Sequence, residues 1–123
     1  MWLGTEEGHG RMKKVEAVIR PEMLPVVRKA LEEIGIKGVT ITQVLGHGAQ
    51  RGVTQQWKGN VYRVDLLPKV EIKTIVPDSM LETVLATIAD SARTGAVGDG
   101  KIFVSSIDDV MRVRTGERGE AAV

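Results

Sequence analysis

The fold is set by a short stretch near the start of the chain, Lys13–Glu22, which reads KKVEAVIRPE. Val15, Ala17 and Ile19 alternate along it, and this period of two is typical of a strand with one buried face. Pro21 follows, and its fixed φ suits the first turn of a helix. The acidic residue after the proline suits the positive end of the helix dipole. The stretch therefore predicts a strand that passes directly into a helix.

The predicted helix is amphipathic, because its apolar residues recur at three- and four-residue steps. These residues are Met23, Val26, Val27, Ala30, Leu31 and Ile34. Gly35 then ends the helix, since glycine readily takes the left-handed conformation that follows many helix C-termini. A second strand is predicted over Val39–Val44. The first part of the chain is thus one βαβ unit.

A second βαβ unit repeats this pattern. A strand is predicted over Val70–Val76, a helix beginning at Pro77-Asp78, and a closing strand over Ile102–Ile107. The apolar stripe of the second helix consists of Met80, Leu81, Val84, Leu85, Ile88 and Ala92. Two such units in 123 residues predict an α+β fold, a ferredoxin-like double βαβ sandwich with two helices on one face of an antiparallel sheet. Because the strands are rich in Val and Ile, we expect the chain to oligomerise through the other face.

Composition argues against several classes of function. The chain has 17 basic and 16 acidic residues, a net charge of +1, and only four aromatic residues (two Trp, one Tyr, one Phe), so no nucleic-acid surface is expected. It has no cysteine, which excludes disulfides and thiolate sites and suits a reducing cytoplasm. No apolar run reaches the roughly 18 residues of a membrane helix. We therefore expect a cytoplasmic protein without membrane insertion.

Two segments lack a helical or strand period. Residues 1–11 are expected to be a flexible extension, with residues 12–123 forming one domain. Residues 46–61 carry four glycines, and a connection this long inside a small domain is usually functional or disordered. Trp57 within it is costly to leave in water and is expected to dock on a partner or on the loop itself. His47 fits a hydrogen-bonded turn residue better than a metal ligand.

A glycine-rich loop joins the second helix to the last strand, in the stretch Thr94–Phe103, TGAVGDGKIF. Glycines that take φ > 0 can turn successive N–H groups toward one point and hold an anion. Lys101 could reach a phosphate held there. The spacing is not that of a P-loop, and a plain helix-to-strand connection explains these residues equally well.

Arg112 and Arg114 stand two residues apart near the C-terminus. If this stretch is extended, both guanidinium groups project from one face and suit phosphate oxygens. The alternative is a solvated edge strand whose charges prevent aggregation. Together with the glycine-rich loop, the anion site is favoured.

These motifs together resemble the PII nitrogen-regulatory signalling proteins. The resemblance runs without gaps from Met12, through MKKVEAVIRP at the start, TGAVGDGKIFV from Thr94, and RVRTGE from Arg112. It implies a homotrimer that binds ATP or ADP in clefts between subunits, and 2-oxoglutarate once Mg-ATP is bound. It further implies a T-loop at about 47–62, a B-loop at about 93–101 and a C-terminal segment over 111–123. The T-loop would change shape and partner with the bound effectors.

The resemblance also implies roles for particular residues. The nucleotide-binding B-loop residues would be Thr94, Gly98, Asp99, Gly100 and Lys101. Arg112 and Arg114 would reach the phosphates of a neighbouring subunit. Thr40 and the backbone near Ile75 would lie on the adenine side. The base of the T-loop, next to the nucleotide, would contain Gly46 and Gly48.

The 2-oxoglutarate site is implied in the same way. Gln50 would coordinate Mg²⁺ beside the nucleotide and 2-oxoglutarate, since Mg²⁺ prefers oxygen ligands. Lys69 would pair with a 2-oxoglutarate carboxylate, and Arg20 would lie nearby.

Two positions depart from the family pattern, and a third matches it among altered neighbours. Ala49 stands where the family usually has an arginine that helps hold the ATP γ-phosphate, which leaves the preference for ATP or ADP open. Asn60 replaces a serine that is phosphorylated in other members. Tyr62 matches a tyrosine that some members have nucleotidylated, although its neighbours differ.

The resemblance implies a non-enzymatic sensor whose T-loop engages an ammonium transporter, a nitrogen-metabolism enzyme or a regulator. Two alternatives stay open. One is a divergent paralogue that senses adenylates only or serves as an adaptor, and the other is a slow ATPase. The glycine-rich loop brings no evident catalytic base, which disfavours the ATPase.

Overall fold

The structure is a computed structural model that describes residues 11–47, 53–57, 60–64 and 66–123. Within them lie six strands and two α-helices, each helix preceded by a short 3₁₀ turn. In chain order these are β1 (Met12–Ile19), the turn Pro21–Met23, α1 (Leu24–Glu33), β2 (Thr40–His47), β3 (Val53–Trp57), β4 (Asn60–Val64), β5 (Leu66–Pro77), the turn Asp78–Met80, α2 (Leu81–Ala92), β6 (Gly100–Ile107) and the 3₁₀ turn Gly119–Ala122. No described helix is long and apolar enough to cross a membrane.

The main sheet has four strands in the order β2-β5-β1-β6, and all neighbours are antiparallel. The central strand β1 pairs with β5 on one side and β6 on the other, so that Val15 lies opposite both Thr74 and Val104. The predicted ferredoxin-like double βαβ sandwich is thereby confirmed. Pro21 and Asp78 both begin helical turns as predicted, and Gly35 has a φ of 93° just after α1.

The hydrophobic core lies between the sheet and the two helices. From β1 it takes Val15, Ala17 and Ile19, which are the alternating positions of the opening stretch. The other buried members are Val27, Leu31, Val70, Ile72, Val76, Val84, Ile88 and Ala92. Burying one such aliphatic side chain contributes roughly 1.5–3 kcal/mol. The amphipathic period thus identified most of the core.

One position of the predicted stripe is wrong. Val26 is 45% exposed, whereas its neighbour Val27 is fully buried. Successive residues on a helix are about 100° apart, so only one of the pair can point at the sheet.

The sheet face away from the helices is more polar than the prediction assumed. Alternation places Lys14, Glu16 and Lys73 on this face, together with the half-exposed Phe103. Most of the Val and Ile side chains point to the helices instead. Association of the chain through this face remains a prediction.

The connection between β2 and β5 contains a two-stranded antiparallel hairpin. Val53 pairs with Val64, and Trp57 with Asn60. The sequence showed no sustained period here, and the two short strands, of five residues each, were not predicted. The side chains of His47, Trp57 and Tyr62 lie outside the described part of the structure, and so do Gly48, Ala49 and Gln50 altogether.

Candidate anion-binding site

The glycine-rich loop between α2 and β6 turns at three left-handed glycines. Gly95, Gly98 and Gly100 have φ values of 92°, 103° and 107°. At Gly100 a side chain is also sterically excluded, because a Cβ atom there would lie 1.8 Å from the carbonyl oxygen of Val18. The last glycine therefore lets the loop run directly against the central strand.

Asp99 closes the loop from within. Its Oδ2 accepts bonds from the backbone N–H groups of Thr94 and Gly95, both at 2.8 Å, and its Oδ1 accepts the Thr94 hydroxyl at 2.5 Å. The Thr94 oxygen in turn accepts the N–H of Ala96 at 3.2 Å. The bond from the Thr94 hydroxyl, and after it the Arg20 guanidinium and the two amides, hold the pKa of Asp99 well below its usual range. The carboxylate shapes the loop through bonds to the loop's own atoms.

Two basic side chains from the sheet dock on the same loop. Arg20, just after β1, donates from Nε to Asp99 Oδ1 at 3.0 Å and from Nη2 to the carbonyl oxygen of Val97 at 2.7 Å. Lys69, in β5, donates from Nζ to the carbonyl oxygen of Gly98 at 2.6 Å. Two cationic groups separated widely in sequence thus meet at one end of the sheet.

Lys69 is an unusually buried lysine, with only 8% of its surface exposed. Burial, followed by the nearby positive charge of Arg20, lowers its pKa. Among the described residues its direct hydrogen-bond partner is the neutral carbonyl oxygen of Gly98, and the carboxylates of Glu22 and Asp99 offset the lowering only in part. The site is therefore favourable for an added carboxylate or phosphate oxygen.

Gly46 in β2 makes room for the Lys69 stem. A Cβ atom at Gly46 would lie 2.8 Å from Cγ of Lys69, which is closer than ordinary packing permits. The structure therefore brings together two residues, Gly46 and Lys69, that the sequence assigned to neighbouring sites.

Three of the residues assigned to the nucleotide, Thr40, Ile75 and Lys101, share one sheet face, but they are not all close to one another in a single chain. Lys101 is the second residue of β6 and lies opposite Val18, whereas Thr40 begins β2 opposite Lys73. Ile75 lies on the same face of β5 as Lys73. Since β2 and β6 are the two edge strands, Thr40 and Lys101 are separated by about three strand spacings, on the order of 14 Å.

The C-terminal segment turns at residues 113–115, so the extended geometry in which Arg112 and Arg114 would project from one face does not occur. Met111 bridges to Arg118, and the N–H of Gly116 donates to the carbonyl oxygen of Arg112 at 2.8 Å. A left-handed glycine at position 116 permits this tight turn.

Carboxylates hold the turned C-terminal segment together. Arg112 Nη1 lies 2.6 Å from Glu117 Oε1, and Arg118 pairs with Asp109. Val113, at the apex, is 96% exposed. The segment therefore forms a turn whose apex is exposed to solvent.

Sequence reasoning missed the contact between Arg20 and Asp99 and that between Lys69 and Gly98. These pairs are 79 and 29 residues apart, and no spacing rule links them. The pairing of Arg112 with Glu117 was also missed. The five-residue spacing of Arg112 and Glu117 offers a signal only if a turn is assumed between them.

The fold and the loop together define a small α+β protein with a braced, cation-rich glycine loop at one end of an antiparallel sheet. A sequence profile of the family described as Nitrogen regulatory protein P-II matches residues 12–117. The chain belongs to the nitrogen regulatory protein P-II family, as its sequence motifs predicted.

Known relatives agree with this assignment. The chain is 52% identical over 112 residues to Nitrogen regulatory protein P-II 2 of Methanothermobacter thermautotrophicus, which covers 91% of this chain and 97% of the relative. It is 50% identical over 112 residues to Nitrogen regulatory protein P-II 1 of Escherichia coli K12, and the match covers 91% of this chain and 100% of the relative. The crystal structure of Arabidopsis thaliana PII bound to citrate is similar, with a TM-score of 0.74, 42% identity and 92% coverage of both chains.

Proposed function

We propose that this chain is a non-enzymatic sensor that binds ATP or ADP, and 2-oxoglutarate together with Mg-ATP, and regulates a target protein through its T-loop. Membership of a family of regulatory proteins supports this proposal. The observation that carries it is the preformed glycine loop, braced by Asp99 and docked on Arg20 and Lys69. We further propose a cytoplasmic homotrimer whose target is an ammonium transporter, a nitrogen-metabolism enzyme or a regulator.

The phosphates of the nucleotide would bind at the loop. Its left-handed glycines favour N–H groups that point to one side, and the exposed Lys101 follows at the start of β6. A phosphate would add negative charge beside Arg20 and Lys69, which already face the loop. Within the proposed site, Gly98 and Gly100 would let the loop backbone come close to a phosphate, while Thr94 and Asp99 would maintain the shape of the loop.

A second subunit is needed to complete the nucleotide site. Thr40 and Lys101 lie on opposite edge strands of one sheet, so a nucleotide that contacts both in one subunit would have to lie across the whole sheet face. A neighbour can supply the missing side. Arg112 and Arg114 lie on the projecting C-terminal segment and would approach the phosphates from that neighbour.

The 2-oxoglutarate site would use Lys69. A carboxylate at the Lys69 ammonium would supply the counter-charge that the Gly98 carbonyl does not, and the Arabidopsis relative with bound citrate supports a carboxylate ligand. Gln50 would offer an amide oxygen of the kind that Mg²⁺ prefers, and it lies outside the described residues. This arrangement couples the two effectors, because Lys69 already touches the nucleotide loop.

Calorimetric titration of ATP and ADP into the purified protein tests the nucleotide part of this proposal. Saturable binding at one site per subunit is expected for both nucleotides. A time course with excess ATP should show no turnover beyond a buffer control. Steady release of phosphate would favour the slow ATPase, and absence of any nucleotide binding would favour an adaptor.

Gly46→Ala is expected to weaken 2-oxoglutarate binding in the presence of Mg-ATP. The added methyl group would press on the Lys69 stem and displace its ammonium. The expected loss is roughly tenfold in Kd, on the order of 1.4 kcal/mol.

Gly38→Ala is the matched control for this variant. A Cβ atom at Gly38 meets nothing within 4 Å, so its affinity should equal that of the wild type. Equal affinities for the Gly46 variant and the control would contradict the role assigned to the Gly46–Lys69 contact.

A further inference from the structure

Arg20 uses its guanidinium on the glycine loop itself. Nε and Nη2 reach two different acceptors, the Asp99 carboxylate at 3.0 Å and the Val97 carbonyl oxygen at 2.7 Å. The Arg20 and Asp99 side chains are only 18% and 23% exposed, so the pair is partly shielded from water. Arg20 therefore differs from Lys69 in that one of its bonds to the loop is made to a carboxylate.

We infer that Arg20 is a positioning residue for nucleotide binding, acting through Asp99 and the Val97 carbonyl, and not a ligand of 2-oxoglutarate. This inference rests on the proposed function. Asp99 is bonded to Thr94 and Gly95 at the beginning of the loop, and Arg20 ties it to Val97 in the middle. One guanidinium therefore sets the distance between two parts of the loop.

The planar guanidinium is suited to this task. Its N–H groups diverge in a rigid fork, so two acceptors are held in a fixed relation to each other. A lysine carries the same charge but cannot reproduce that fork. Arg20 also neutralises Asp99, whose charge would otherwise repel a phosphate placed at the loop.

The inference predicts that Arg20 and Asp99 act as one unit. Arg20→Gln and Asp99→Asn should each lower the affinity for ATP and for ADP by roughly tenfold. The double variant should bind both nucleotides no more weakly than the worse of the two single variants. Arg20→Lys should recover less than half of the lost binding free energy. Arg28→Gln, a change at an exposed arginine in α1, should leave both affinities unchanged.

The 2-oxoglutarate affinity, measured at saturating Mg-ATP, separates positioning from direct ligation. Arg20→Gln should change it by less than about twofold, because the loop is then held by bound nucleotide. If Arg20→Gln lowers the affinity for 2-oxoglutarate more than the affinity for nucleotide, the inference is overturned and Arg20 is a ligand of 2-oxoglutarate. Additive losses in the double variant, or an unchanged nucleotide affinity in Arg20→Gln, would also overturn it.

A titration of the Asp99 carboxyl group by ¹³C NMR provides a readout that does not depend on nucleotide. Its facing groups are the Thr94 hydroxyl, the Arg20 guanidinium, the amides of Thr94 and Gly95, and the neighbouring Lys69. The pKa of Asp99 should rise in Arg20→Gln toward its ordinary value of about 3.9. An unchanged Asp99 pKa would overturn the inference. If the wild type binds no nucleotide, the proposed function fails together with this inference. If the wild type binds nucleotide and Arg20→Gln binds it equally tightly, only the inference fails.

Discussion

Gly100→Ala is expected to lower the free energy of unfolding by about 3 kcal/mol or more, and to remove measurable nucleotide binding. Two costs add at this position. The backbone φ of 107° is strained for any residue with a side chain, and the new Cβ would lie 1.8 Å from the carbonyl oxygen of Val18. Val18 belongs to the central strand and cannot withdraw without breaking its pairing with β5. The beginning of β6, with Lys101, must therefore move away.

Gly95→Ala separates these two costs. Gly95 has a similar φ of 92°, but a Cβ atom there meets nothing within 4 Å. Urea unfolding should show a loss of only about 1 kcal/mol for this variant. If Gly100→Ala unfolds at the same urea concentration as Gly95→Ala, the steric account of the Gly100 contact is wrong.

Lys69→Met is expected to weaken 2-oxoglutarate binding at saturating Mg-ATP by about 100-fold, or roughly 2.7 kcal/mol. The proposed charge-assisted bond to a carboxylate disappears, while the methionine keeps much of the apolar stem that packs beside Gly46. The variant also loses the bond to the Gly98 carbonyl oxygen. Nucleotide affinity should therefore fall as well, but by less than tenfold.

Lys13→Met is the control for removing a lysine from the sheet. Lys13 lies at the other end of β1, where it donates a hydrogen bond to Ser106. Its substitution should change neither the affinity for nucleotide nor the affinity for 2-oxoglutarate. A Lys69→Met protein that binds 2-oxoglutarate as tightly as this control would remove Lys69 from the effector site. The carboxylate would then have to bind elsewhere.

The regular part of the fold was predictable because its information is local. Alternation in Lys13–Glu22 identified β1 and its buried face, and prolines marked where both helical segments begin. The glycine loop was likewise recognisable, since three of its residues require left-handed backbone.

The rest depends on contacts that spacing does not encode. Arg20 reaches Asp99 only because β1 and β6 are neighbours in the sheet, which brings the end of one strand to the start of the other. The segment with Arg112 and Arg114 turns because Glu117 and a left-handed Gly116 favour it over an extended strand. Alternation alone treated Arg112 as a free cation, and its pairing with Glu117 changes that interpretation.

The most direct test is a calorimetric titration of 2-oxoglutarate into the wild-type protein, first with saturating Mg-ATP and then with saturating Mg-ADP. We expect saturable binding with Mg-ATP and none with Mg-ADP, because the keto acid needs the metal and the nucleotide phosphates beside Lys69. Nucleotide binding without any 2-oxoglutarate binding would contradict the account and leave a sensor of adenylates alone, a result that would draw attention to Ala49.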